Sequence, residues 1–414
     1  MSTTIASSTT SASPDLPADL MTMDTPRFIA HCRRLYRKTL LEDVVPFWLR
    51  HGIDRQYGGI GNLLDDAGNV TGTDKWLWSQ GRALWTFSAL CNRIERRAEW
   101  LAFADHIFQY LRTHGRDEQG RWMFRLDKNG NVLDRDISIY VDGFVLAGMT
   151  EYYAATKNEE ALRIALQTYE NVLARLAKPG SYGLAPYSLP PGMKTHGVSM
   201  IFGLFFFELG RLLNRQDIIN NALDHAYQIL KHFYRPEKDA VVEFVTTDGR
   251  YVDSPEGRTC VPGHALESMW FLISIFERTG DLDSIQTCCR IIKRHLELAW
   301  DEEYGGLMLA RDVDGIEPPF WKYPQYKPWW VQVEALVATA YAYVHTRQPW
   351  CLEWHRKVQD FAYRHYPVPT GEWSQWVDRL GNRMGNAFLP VKDPFHLPRA
   401  LIELIGIFEN RLNP

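Results

Sequence analysis

The chain has 414 residues, of which 45% are apolar, with 15 Trp, 19 Tyr and 20 Phe, and its formal net charge is −4 with acids and bases interspersed. This composition supplies a large core and gives no support to nucleic-acid or polybasic membrane binding. The 6 Cys are scattered without a C-x-x-C, so neither a disulfide framework nor a zinc site is indicated.

Residues 1–20 are rich in Ser, Thr, Ala and Pro and lack both a basic start and an apolar run. They are expected to be a disordered tail ahead of one domain over 21–414. The greasiest stretch, "VSMIFGLFFFELG", is too short to span a bilayer. A cytoplasmic, soluble protein is the expectation.

In chain order, six segments read as a short strand, an Asp/Asn/Gly turn and another short strand: "QYGGIGNLLDDAGNV", "GRWMFRLDKNGNVLDRD", "SYGLAPYSLPPG", "AVVEFVTTDGRYVD", "EYGGLMLARDVDG" and "GEWSQWVDRLGNR". They recur about every 60 residues. Each is followed by a helical stretch that is apolar on more than one face and so predicts a buried helix, from "GRALWTFSALCNRI" to "FHLPRALIELIGIFEN". Charged amphipathic segments such as "EEALRIALQTYENVLARLAK" lie between and predict a solvent-facing layer.

Six units of outer helix, hairpin and inner helix predict an all-α fold of twelve helices. Closed on itself this is an (α/α)6 barrel with short β-hairpins at one rim. An open array would leave the aromatic inner faces exposed. In a closed ring all six inner-helix starts crowd one end.

That rim collects Trp78, Gln80 and Arg82; Tyr140 and Asp142; His196; Arg258, His264 and Glu267; Trp330, Gln332 and Glu334; and His396 with Arg399. A single histidine at a helix start is more often structural than functional, and Glu267 could merely serve the first turn of its helix. Agreement across the repeats favours a functional rim. A histidine titrates near neutral pH, so two on opposite walls could remove a proton from one face of a carbon and return it to the other. Arg82 could balance the oxyanion that develops. No G-x-S-x-G, P-loop or strand-linked G-x-G-x-x-G is present.

The strings "WSQGRALWTFSAL", "IYVDGFVLAGMTEYY", "GRTCVPGHALESMWFL", "YGGL", "KPWWVQVEAL" and "FHLPRAL" resemble the N-acylglucosamine 2-epimerase family over about residues 28–413. The resemblance implies the (α/α)6 barrel and a sugar 2-epimerase needing neither metal nor cofactor. It implies that His264 and His396 are the acid/base pair, that Arg82 stands at the sugar carbonyl and that Glu267 supports the first histidine. Trp78, Tyr140, Asp142, His196, Arg258, Trp330, Gln332 and Glu334 are then expected to contact the substrate. The implied partner is a small-molecule sugar, with no nucleic acid and no membrane, in a chain that could pair as a homodimer.

Many N-acylglucosamine members carry a "KGG…KGC" run before the last histidine, where this chain has "GNAFLPVKDPFH". A plain aldohexose therefore rivals an N-acylated one, and no nucleotide-binding loop is evident. An aldose–ketose isomerase on the same site is the nearest alternative. Farther off stand a glycoside hydrolase using Asp142 and Glu334, and a non-catalytic carbohydrate-binding protein.

Overall fold

The computed structural model describes residues 16–412, except 179, 318 and 386–389. Most of the expected N-terminal tail and part of the "GNAFLPVKDPFH" run lie outside the described residues. Of the tail's last residues, Leu20 is buried in the core and Asp19 pairs with Arg27 at 2.9 Å.

Six inner helices form the predicted ring: α2 (Leu77–Ala89), α4 (Ile139–Thr156), α6 (His196–Leu213), α8 (Pro262–Thr279), α10 (Trp329–Thr346) and α12 (His396–Asn410). Six outer helices surround them: α1 (Thr25–Lys38), α3 (Ala98–His114), α5 (Glu159–Leu176), α7 (Gln216–Gln228), α9 (Leu282–Ala299) and α11 (Pro349–His365). The ring closes where α12 packs on α2 and α1.

Sequence pattern explains the two layers. In α4, 15 of 18 residues are buried, as its all-round apolar character predicts. In α5 only Ala161, Ile164, Ala165, Thr168, Tyr169 and Val172 are buried, the three- and four-residue spacing of one helical face. The helix α6, 18 residues long, is apolar enough by length and composition to cross a membrane, and here it is a core helix.

Three of the outer helices start where a polar side chain caps free N–H groups: Asp24 accepts from Arg27, Asn158 from Glu160 and Ala161, and Asp281 from Ser284. Four inner helices end on a left-handed residue (Lys157, Asn214, Gly280 and Arg347), which turns the chain directly into the next outer helix.

The rim is laced more tightly than isolated hairpins would be. The strand before each of four inner helices pairs with the hairpin of the next unit: Lys75–Trp76 with Arg125–Leu126, Met193–Thr195 with Phe244–Thr246, Thr259–Cys260 with Arg311–Asp312, and Lys327–Pro328 with Trp376–Val377. A bridge from Ser138 to Leu184 makes the same link. The Lys392 N–H donates to the Asn62 carbonyl at 2.8 Å and joins the last unit to the first.

Histidines recur in this scaffold for a purely structural reason. His51, His114, His232 and His365 sit beneath Gly68, Gly130, Gly249 and Gly381, turn residues at φ 83°, 86°, 87° and 90°. A Cβ at any of the four would fall within 2.6 Å of the imidazole.

Candidate active site

The Pro-Gly-His sequence at the start of α8 has a local explanation. Pro262 occupies the first helical turn, where its missing N–H costs nothing. Gly263 leaves room for Trp330, since a Cβ there would lie 2.3 Å from the indole. The Trp330 ring therefore seats against His264, with centroids 5.2 Å apart. His396, from the first turn of α12, lies 5.6 Å from the same indole. The two histidines, two of the six units apart in sequence, thus pack against one indole, and both keep part of their side chains exposed, 19% and 12%.

Each is held through Nδ1 by a buried carboxylate. Glu243 Oε2 lies 3.1 Å from His264 Nδ1. Glu334 Oε1 lies 2.8 Å from His396 Nδ1. An ionised carboxylate only accepts, so Nδ1 carries the proton in both and Nε2 is left as the working atom.

Their environments differ in sign. Burial opposes the charged form of His264, but the contacting Glu243, with Glu267 and Glu334 farther off, raises its pKa above the ordinary value. Burial lowers His396 to about 3, with Glu267 opposing the shift and Arg82 and Arg399 adding to it. Glu243 is held below the usual carboxylate range against burial, through its contacts with His264 and His196.

Sequence reasoning missed Glu243. It lies in the strand-like "VVEF", where a lone acid in an apolar run signals a buried charge with a dedicated partner. Glu243 also accepts from the Thr195 hydroxyl at 2.7 Å. His196, expected to contact substrate, is instead buried behind this pair. Its Nε2 is 2.6 Å from Ser268 Oγ, and its Nδ1 is 3.4 Å from Glu243 Oε2.

Glu267, expected to support His264, pairs with Arg399. Arg399 Nη2 also donates to Glu334 at 2.6 Å, and Trp270 Nε1 donates to the other Glu334 oxygen at 2.9 Å. Glu334 is fully buried, so it positions His396 rather than lining the cleft. Glu267, Glu334 and His396 bring their ligand atoms within 4.8 Å of one another, but the Arg399 guanidinium already bonds both carboxylates, and a cation does not fit there.

Arg82 reaches the same region from α2. Its Nη1 donates to Asp393 at 3.1 Å, and its guanidinium carbon lies 4.0 Å from the Phe144 ring, 5.0 Å from Phe395 and 5.7 Å from Trp78. Tyr140 packs edge-on to Tyr187, centroids 6.0 Å apart.

Three expected contact residues serve the scaffold. Asp142 is buried and bonds Arg175 at 2.8 Å; burial pushes its carboxyl up to about 6 against that partner. The Gln332 amide is spent on the backbone of Leu307, accepting at 3.0 Å and donating at 2.8 Å. Gln80 does the same to Ile60. Arg258 bonds Asp312 at 3.0 Å and Asp253 at 2.6 Å.

A twelve-helix toroid with two carboxylate-held histidines at one rim defines an (α/α)6-barrel protein with a candidate proton-transfer site. The model of the family "N-acylglucosamine 2-epimerase (GlcNAc 2-epimerase)" matches residues 58–400, and the chain belongs to that family, an isomerase-class group of sugar 2-epimerases. The chain is 29% identical to the N-acylglucosamine 2-epimerase of Bos taurus over 394 residues, covering 90% of this chain and 91% of the relative. It is 24% identical to the cellobiose 2-epimerase of Dictyoglomus turgidum, covering 87% and 95%.

Among solved structures it superposes on a sugar epimerase from a ruminal bacterium with TM-score 0.80 at 22% identity, over 90% of this chain and 98% of that one. It also superposes on a D-mannose isomerase with TM-score 0.76 at 20% identity, over 94% and 99%. These two likenesses establish the (α/α)6 fold.

Proposed function

We propose that this chain interconverts the C2 epimers of an aldohexose, either N-acylglucosamine and N-acylmannosamine or glucose and mannose, with His264 and His396 as the proton carriers. The observation that carries the reading is the opposite bias of two histidines against one indole: His264 is held toward its charged form and His396 toward its neutral form. Paired groups whose environments push their protonation apart mark an acid and a base.

A C2 proton is acidic only beside a free carbonyl, so the open-chain sugar reacts. His396 Nε2 takes the C2 proton, and Glu334 stabilises the imidazolium that forms. The electron pair moves into an enediolate whose O1 charge Arg82 balances. His264 Nε2 then gives its proton to the opposite face of C2, which yields the 2-epimer. In the reverse direction the two histidines exchange roles.

A proton delivered to C1 from the same intermediate gives a ketose, which keeps aldose–ketose isomerisation as the second reading. The likeness in fold to a D-mannose isomerase is consistent with that second reading. The glycosidase alternative loses support, because Asp142 is spent on Arg175 and Glu334 on His396 and Arg399.

The test is proton NMR in heavy water with mannose, glucose, N-acetylmannosamine, fructose and cellobiose. The reading predicts a C2 epimer as the main product from one of the aldoses. Fructose as the dominant product from mannose transfers the assignment to the isomerase.

A further inference from the structure

The segment Asp393–Pro394–Phe395–His396 does more than deliver a histidine. Asp393 Oδ2 accepts from Arg82 Nη1 and from Ser79 Oγ, each at 3.1 Å. The Pro394 carbonyl accepts from the Thr86 hydroxyl. The Phe395 ring lies beside the Arg82 guanidinium, 5.0 Å from its central carbon. Three consecutive residues therefore grip α2, and the fourth is His396.

The Asp393 side chain is only 6% exposed and that of Arg82 17%. A charge-assisted hydrogen bond sheltered in this way fixes geometry better than an exposed one. Arginine otherwise sits on a flexible stem with many accessible rotamers, and stacking on aromatic rings restrains it only loosely. Because Asp393 takes up Nη1, the pair fixes one edge of the guanidinium and leaves its other nitrogens uncommitted to that carboxylate.

We propose that Asp393 is a positioning residue for Arg82, fixing where the guanidinium stands relative to His396. The proposal rests on the role given above to Arg82. In the reaction Asp393 moves no proton; it holds the charge that faces O1 in register with the base that attacks at C2.

The test compares kcat and KM of Arg82→Ala, Asp393→Ala, Asp393→Asn and Ser79→Ala on the best substrate found in the heavy-water panel. Misplacement by about 1 Å costs about a hundredfold in rate, so Asp393→Ala is expected to lower kcat by about that factor with KM changed less than about threefold. Asp393→Asn still offers an oxygen to Arg82 and is expected to stay within about tenfold of wild type, since a neutral acceptor forgoes only part of the bond. The double variant Arg82→Ala/Asp393→Ala is expected to be no slower than Arg82→Ala alone, because coupled residues are not additive.

If Arg82→Ala is slow while Asp393→Ala turns over normally, the positioning role is overturned and the proposed function stands. If Arg82→Ala itself turns over normally, the role of Arg82 fails and the proposal fails with it. Equal, large losses in folded Asp393→Ala and Asp393→Asn also overturn it, because the carboxylate would then act for itself. Should Asp393→Ala not fold, Ser79→Ala decides: a fall of several-fold in kcat supports the proposal, and an unchanged kcat overturns it.

Discussion

His264 Nδ1 lies 3.1 Å from Oε2 of Glu243, a residue 21 positions earlier in the chain and contributed by a rim hairpin rather than by a helix. This contact is what keeps a buried imidazole toward its charged form. Without it, burial would be opposed only by the more distant Glu267 and Glu334, and the His264 pKa would fall.

The first prediction follows from that sign. A group that must be protonated loses activity as pH rises through its pKa. In Glu243→Gln the His264 pKa drops, so the alkaline limb of kcat/KM is expected to move to lower pH in the direction that His396 starts. At pH 7.5 the rate is expected to fall by about ten- to a hundredfold. The check is a pH profile of both proteins between pH 5 and 9. An alkaline limb that stays in place removes Glu243 from the control of His264.

Glu334 carries a different burden, because three groups depend on it: His396, Arg399 and Trp270. Glu334→Ala leaves a buried guanidinium with Glu267 alone and an indole N–H unmatched. Breaking such a buried pair typically costs about 3–5 kcal/mol. The variant is expected to lose that much in urea unfolding and to lose turnover as well. A stable, folded and active Glu334→Ala would contradict its placement behind His396.

Gly263 offers a steric test. In Gly263→Ala the new methyl would fall 2.3 Å from the Trp330 ring, so the indole must shift away from the two histidines. Overpacking of this kind costs about 1–3 kcal/mol. The expected result is a drop in kcat/KM larger than the drop in stability would explain, measured by steady-state kinetics beside thermal unfolding. Retained kinetics would show that the indole does not set the histidine geometry.

Acid should destabilise the fold through buried histidines other than His264 and His396. Burial lowers His225 to about 4, and His295 and His355 to about 3. Each is neutral when folded and protonates near pH 6.5 when unfolded, so the unfolded state binds more protons between those values. Stability is therefore complete above about pH 6.5 and declines as pH falls toward the folded pKa. At pH 5 the loss from His295 and His355 is on the order of 2 kcal/mol each. Urea midpoints at pH 7 and pH 5 test this, and His355→Gln is expected to narrow the gap between them.

The fold was legible because a repeat of about 60 residues leaves little choice for six pairs of one all-round apolar and one amphipathic helix. His264, His396 and Trp330 were legible for the same reason, since inner-helix starts must meet at one end. The repeat does not say which side of a helix faces the axis. Asp142 therefore came to the rim in sequence but turns outward to Arg175, and Gln332 staples the Leu307 backbone. It also says nothing of charges carried on the hairpins. Glu243 and Asp393 lie outside the helices whose period was read, and only the folded rim shows which groups they hold.

The central claim is that His264 and His396 each carry a proton to or from C2. Its most direct measurement is solvent deuterium entering C2, followed by proton NMR, for the wild type, His264→Ala and His396→Ala, each shown to be folded. One deuterium is expected at C2 of the epimerised product with the wild type, and no epimerisation with either variant. At most, slow deuterium exchange into unreacted substrate should persist where one histidine remains to act alone. Epimerisation at near-normal rate by either variant, or a wild-type product with no solvent deuterium on any carbon, would contradict it.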